Sequence, residues 1–341
     1  MNNYKTDVKS QPESQNESFV EGILKDIETH FQEANQTRVV TADELMKRNL
    51  KEIPYLVDSL FMQRGLACVA GASDTGKSRL LRQLALSVIN DHNNFLGFPL
   101  ITKTKCCIYV STEDDEQSTA VLLQKQASGF SEEVLKRLRF IFDTHNLLEK
   151  VDAELSLQPA DIVIIDSFSD IFGQDLKDST KIRSCLHQFK LLADKHECLF
   201  LFLHHTGKRT EDIAPSKNNL LSGQGLEAKM RMVIEFRLDQ IDPSLRHLCI
   251  VKANYLPPAY KTESFVLQFD EQLHAFINTG ERVPFEYLVK QEANELEQAK
   301  YEQAIDLKKQ GKTYEEIAAA LGYSSKSAVT KLIARVEKRR N

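Results

Sequence analysis

Five sets of residues carry side chains that chemistry could use. Gly71-Ala72-Ser73-Asp74-Thr75-Gly76-Lys77-Ser78 fits the spacing G-x-x-x-x-G-K-[ST]. Two glycines let a backbone curl until its N–H groups converge on an anion. The lysine then reaches the outer phosphates of a nucleotide, and the serine hydroxyl can ligate Mg2+. Asp166 closes the run Asp161-Ile162-Val163-Ile164-Ile165. A carboxylate at such a strand end can order the same cation, or simply cap a turn. Glu113 sits in Ser111-Thr112-Glu113-Asp114-Asp115-Glu116. A carboxylate there can polarise a water that attacks the terminal phosphate. The acids after it read as the first turn of a helix, favoured by the helix dipole. His204 and His205 end another apolar run. His205 can sense the outer phosphate, or be a structural hydrogen-bonder. Arg231 follows the polar loop Asn219 to Glu227. It reads either as a finger reaching a neighbouring subunit's phosphate or as surface charge.

Such groups act together only if strands deliver them to one edge of a sheet. Leu66 to Ala70, Cys106 to Val110, Arg139 to Asp143, Asp161 to Asp166 and Cys198 to His205 are short apolar runs. Helical spacing separates several of them. Arg79 to Ile89 puts Leu80, Leu81, Leu84 and Val88 on one face, and Gln117 to Gln126 and Thr180 to His196 are further helices. Apolar strands alternating with helices mean a mostly parallel sheet covered on both faces, in an α/β fold. In such a sheet ligands lie beyond the carboxyl ends of the strands. Met232 to Leu238, Arg246 to Ala253, Ser264 to Phe269 and Leu273 to Ile277 read as further strands. The last two form an antiparallel hairpin around Asp270-Glu271-Gln272.

No apolar run in the 341 residues approaches the ~20 that a membrane span needs. Met1 to Ser18 is polar and predicts a disordered leader with no secretion signal, hence a cytoplasmic location. Phe19 to Ala34 has amphipathic helical spacing, fit either to dock on a neighbouring subunit or to cover the core. Thr41-Ala42-Asp43-Glu44 predicts a capped short helix, and Ile53 to Asp58 an extended approach to the first core strand. Cys68, Cys106, Cys107, Cys185, Cys198 and Cys249 contain no C-x-x-C pair, which predicts buried, reduced thiols rather than a zinc cluster or disulfide framework.

The net charge of −5 hides an asymmetry. Residues 300–341 hold ten Lys and Arg against five Asp and Glu, so the tail is basic and the body acidic. Glu292 to Gln310 predicts a charged helix, and Gly311-Lys312 breaks it. Thr313-x-x-Glu316 is a capping box for a second helix with Ile317, Ala318 and Leu321 inside. Gly322 makes the turn, and Ser324 caps a last helix to about Arg339. This is a small all-α helix-turn-helix unit. Ser325, Lys326, Ser327, Thr330 and Lys331 would face a major groove of DNA, with Arg335, Lys338 and Arg339 nearer the phosphates. The other reading is a three-helix module that docks a protein.

From about Thr41 to Ile277 the chain resembles the RecA-like hexameric ATPases of the plasmid RepA helicase type. The resemblance rests on five stretches in order: Ile53 to Ser78, Tyr109 to Asp114, Ile162 to Asp166, Leu203 to Lys208 and Ser222 to Arg231. The last departs from the family, with Gly223-Gln224-Gly225 where much of it has Gly-Ser-Ser. The C-terminal stretch resembles the helix-turn-helix domains of resolvases and sigma-like factors. The resemblance implies a RecA-like P-loop core that uses ATP and Mg2+, with Glu113 catalytic, His205 a sensor and Arg231 a finger. It implies a homo-oligomer such as a hexameric ring, with DNA and replication or mobilisation proteins as partners. The expected divisions are a leader (1–18), a helical segment (19–50), the ATPase domain (51–280) and a helical linker with the helix-turn-helix domain (281–341). Two functions remain open: a DNA-associated motor of a plasmid or other mobile element, and a non-processive ATP switch that binds DNA and regulates a partner. Lys208, Arg209 and Lys217 fit a basic channel loop or plain surface charge. Intact Lys77, Ser78, Asp166 and Glu113 argue against a DNA-binding regulator with a dead nucleotide site.

Overall fold

Strands that are apolar on both faces need cover on both sides, and the helices here supply it. The computed structural model describes residues 39–173, 175–207, 210–221 and 224–340, apart from the side chains of 290–294 and 338–340. The expected leader, the helix from Phe19 to Ala34, Lys208, Arg209, Ser222, Gly223 and the side chains of Lys338 and Arg339 lie outside the described residues. Contacts divide the chain into Met1–Ile53 and Pro54–Asn341. In the first unit, α1 (Ala42–Lys47) starts on the expected capping box, Thr41 N–H donating to Glu44 at 2.8 Å and Glu44 N–H to the Thr41 hydroxyl at 3.3 Å.

The second unit begins with β1 (Tyr55–Val57), β2 (Phe61–Met62), β3 (Gly65–Gly71), α2 (Lys77–Ile89), β4 (Asn94–Phe95), β5 (Phe98–Pro99) and β6 (Cys107–Ser111). Next come α3 (Glu116–Gln126), α4 (Glu132–Leu135), β7 (Leu138–Ile141), α5 (Leu147–Leu157), β8 (Ile162–Asp166), α6 (Phe168–Phe172), α7 (Ser179–Lys195) and β9 (Leu199–His205). The chain continues through α8 (Gln224–Glu227), β10 (Met232–Leu238), β11 (Leu245–Ala253), β12 (Glu263–Asp270) and β13 (Ala275–Pro284). It ends with α9 (Lys290–Lys309), α10 (Tyr314–Leu321) and α11 (Lys326–Arg340).

A nine-stranded sheet has the order β13-β12-β11-β10-β3-β9-β8-β6-β7. From β10 to β7 every pairing is parallel, and β10 to β13 pair antiparallel. The period of two along each strand divides the core. Ala67, Val69, Ile162, Ile164, Leu201 and Leu203 face the α2 side with Leu80 and Leu84. Leu66, Cys68, Val163, Ile165, Phe200 and Phe202 face α5 and α7, meeting Val151, Leu155, Ile182 and Phe189. Each fully buried leucine or isoleucine adds about 1.5–3 kcal/mol by leaving water. All six cysteines are free thiols, five of them buried and Cys185 half-buried.

Differences from expectation are local. β13 runs to Pro284, well past Ile277, because Glu263 and Ser264 pair with Pro284 and Val283. The approach to the core folds back on itself, with β1 pairing β2. Helix α5 went unread. At the outer edge, Gln83 of α2 binds the Phe276 backbone twice, donating to its carbonyl at 2.9 Å and accepting its N–H at 2.8 Å.

The last three helices share a core of Tyr301, Ala304, Ile317, Ala318, Leu321, Val329, Leu332, Ile333 and Val336. The Thr313–Glu316 capping box forms, and Gly322 ends α10 with a φ of 75°. Ser324 does not cap the next helix: its N–H and hydroxyl donate to Glu281 of β13 at 3.0 and 2.9 Å, and α11 starts two residues later. No described helix is long and apolar enough to cross a membrane.

Candidate nucleotide site

Parallel pairing brings the chemical residues to one edge. Gly71 is in register with His205, and Ser111 with Asp166, so β3, β9, β8 and β6 finish side by side. The loop after β3 then turns into α2 under tight constraints. A Cβ on Gly71 would lie 2.3 Å from the Phe236 carbonyl oxygen. Gly76 has a φ of 90°, and a Cβ there would meet the Phe276 ring at 2.9 Å. No side chain fits either position. Asp74 adopts a φ of 61°. Thr75 is buried, its hydroxyl donating to the Ala72 carbonyl at 3.0 Å, and Lys77 Nζ donates to the same carbonyl at 2.7 Å. Arg246 of β11 holds the loop from outside through Nε to the Thr75 carbonyl at 2.8 Å.

Ser73, Asp74, Gly76, Lys77, Ser78, Glu113 and His205 line one cleft of about 350 Å3. Ala72 lies in the same loop. His205 Nε2 is 3.5 Å from Glu113 Oε1. Asp166 sits beneath, 4% exposed, with Tyr109 donating to its Oδ2 at 2.6 Å. Burial lowers the pKa of Lys77, opposed by Asp166, Glu113 and Asp74. Burial also raises the carboxyl pKa of Asp166, opposed by hydrogen bonds from Tyr109 and Ser78, while the Glu113 charge adds to the rise. His204 points into the core. Burial holds its pKa down at about 3, so it stays neutral.

A small divalent cation fits this chemistry. Asp166 Oδ1 is buried and has no hydrogen bond. A bare carboxylate oxygen away from water is costly unless a positive charge meets it. With the Ser78 hydroxyl close by, it offers the sparse oxygen set that Mg2+ takes when phosphates supply the remainder.

Arg231 is not brought to this cleft. Its N–H donates to the Leu66 carbonyl at 2.9 Å, at the start of β3. That is roughly 17 Å along the strand from Gly71 at ~3.3 Å per residue. Its side chain is exposed. Lys217 is paired with Glu227 at 3.2 Å.

Reading the sequence missed Tyr109, Arg82 and Arg246. Arg82 is one helical turn beyond Ser78, buried, and donates to Gln126 at 3.1 Å and Asp114 at 3.4 Å, steadying the loop that carries Glu113. Two signals were available: the i, i+4 spacing from Ser78, and a lone hydroxyl at Tyr109 inside an apolar strand, which needs a buried partner. Arg246 has no such local signal.

On the last helix, Ser325, Lys326, Ser327, Thr330 and Lys331 are exposed on one face. Lys326 lies 2.9 Å from Glu315 in a pair open to water. Arg335 departs from expectation. It binds Glu297 at 3.0 Å and Asp242, in the turn before β11, at 2.9 Å, so its charge is already matched and it is not free for a phosphate.

Among solved structures, the chain is similar to one titled as the ATPase domain of a helicase-type protein, with 12% identity and a TM-score of 0.51, covering 76% of this chain and 98% of that one. At that identity the likeness shows the fold: a largely parallel sheet of the P-loop, helicase-type ATPase kind. No curated protein matches the chain. The family described as "AAA domain" matches residues 31–211, from before the first strand to just past His205. That is more than half of the 341 residues, and the chain belongs to this AAA domain family.

Proposed function

We propose that the chain is an ATP-hydrolysing, DNA-associated motor of the RepA-like type, working as a ring of identical subunits in the replication or mobilisation of a plasmid or other mobile element. The convergence of Lys77, Ser78, Glu113, Asp166 and His205 on one sheet edge carries this reading. Residues 71–78 wrap the phosphates, and Lys77 neutralises the outer ones. Ser78 and Asp166 hold Mg2+, which neutralises phosphate charge when bound. Glu113 takes up the proton of the attacking water, and His205, beside it, registers the terminal phosphate. The position of Arg231 supports a ring. It is too far from its own cleft to act there, so any finger role is toward the next subunit. The exposed face of α11 supports duplex binding by a helix-turn-helix unit.

A second reading, a non-processive switch that binds DNA and acts on a partner, is favoured by one hydrogen-bonded path. Arg335 of α11 binds Asp242, Arg246 donates to the adjacent Pro243 carbonyl at 2.7 Å, and Arg246 also holds the Thr75 carbonyl. Strand displacement on forked DNA with ATP and Mg2+ separates the two. Unwinding that Lys77→Ala abolishes supports the motor. DNA-stimulated hydrolysis without unwinding supports the switch, and no hydrolysis at all overturns both.

A further inference from the structure

The two oxygens of Asp166 have unlike surroundings. Oδ2 accepts from the Tyr109 hydroxyl at 2.6 Å, and Oδ1 has no hydrogen bond. Tyr109 is itself sealed, 1% exposed, with its ring 5.5 Å from that of Phe140. Its hydroxyl has one proton to give. The other acceptor within reach, the Ser78 carbonyl, is 3.5 Å away, so the proton goes to Asp166. A carboxylate on a single methylene turns easily about its last torsion. Tied at one oxygen to a packed ring, this one cannot turn. Phenylalanine would fill the same volume in β6, so the hydroxyl is what the position gains from tyrosine.

We propose that Tyr109 is the positioning residue of the cation site: its hydroxyl locks the Asp166 carboxylate by Oδ2, so that Oδ1 stays presented to Mg2+, directly or through a coordinated water. The inference rests on the ATP and Mg2+ reading above. Groups that orient a metal ligand through a hydrogen bond are worth 10–100-fold in metal affinity.

The test uses the full chain with ADP and Mn2+, a paramagnetic stand-in for Mg2+, and follows free Mn2+ by electron paramagnetic resonance without turnover. Tyr109→Phe should weaken Mn2+ binding to the protein–ADP complex by about tenfold. Metal-free ADP affinity should stay within about twofold, and the melting temperature should show that the fold is kept. In an Asp166→Asn background, Tyr109→Phe should add no further loss, since the two then act as one unit. Unchanged Mn2+ affinity in Tyr109→Phe overturns the proposal, and so does an equal fall in metal-free ADP affinity, which would make Tyr109 purely structural. If the wild-type protein binds ADP but gains nothing from Mn2+, the ATP and Mg2+ reading itself fails. If wild type gains and only the variant is indifferent, that reading stands without a role for Tyr109.

Discussion

The carboxyl edge of the parallel strands and the outer face of α11 are both polar, but in opposite ways. At the sheet edge, Lys77 and Asp166 are buried, each working against the cost of its own desolvation. On α11, Ser325, Lys326, Ser327, Thr330 and Lys331 stand in water and hold little structure. A protein does not bury charges around a bare oxygen without a ligand to meet them, whereas an exposed basic helix face costs it almost nothing. The first region therefore argues for its ligand by itself, and the second only permits one. Arg335 marks the boundary: it lies on α11 but behaves like the sheet edge, paired with Glu297 and Asp242.

Substitutions can break this contrast. The largest effect is expected from Lys77→Ala, which should lower ATP hydrolysis by at least ~10²-fold through loss of the charge on the outer phosphates. Turnover near wild type would mean the buried lysine is structural. Glu113→Gln should slow hydrolysis by ~10²-fold while ATP binding persists, which filter binding or fluorescence titration would register. Arg335→Ala should cost about 1–3 kcal/mol of stability by stranding two carboxylates, with the salt dependence of DNA binding unchanged. A fall in that salt slope would return Arg335 to the phosphate-contacting set.

The two adjacent histidines sharpen the contrast on a smaller scale. His204 is sealed, with a pKa of about 3 in the fold against 6.5 in the unfolded chain. The unfolded state therefore binds the extra proton, and stability present above pH 6.5 is lost as pH falls toward 3. His204→Gln should flatten that limb by about 1.4 kcal/mol per pH unit, as denaturant titrations across the window would reveal. The smallest effect is expected on α11: Lys326→Ala with Lys331→Ala should lower duplex affinity a few-fold and the salt slope by about 2, with basal hydrolysis unaltered.

What could be read beforehand follows the range of the interactions involved. The loop from Gly71 to Ser78, the apolar strands and the Thr313–Glu316 cap are set by residues a few positions apart, and all three form as expected. The hydroxyl of Tyr109 meets a carboxylate 57 positions away, and Arg335 meets Asp242 across 93. Spacing rules do not extend that far. Arg335 has the residue type and helix register of a phosphate contact, and only the folded chain reveals the acids that claim it. Ser324 failed as a cap for the same reason, since Glu281 outcompeted the helix for its hydroxyl.

Gln83 has one more consequence. β13 is the outermost strand of the sheet, where exposed backbone groups invite a strand from another molecule. At Phe276 both groups are already taken by one glutamine from the helix that begins at the phosphate loop. An incoming strand would have to evict that side chain before it could add a rung. The rim is blunted against edge-to-edge aggregation at this point by the same helix that starts the nucleotide cleft.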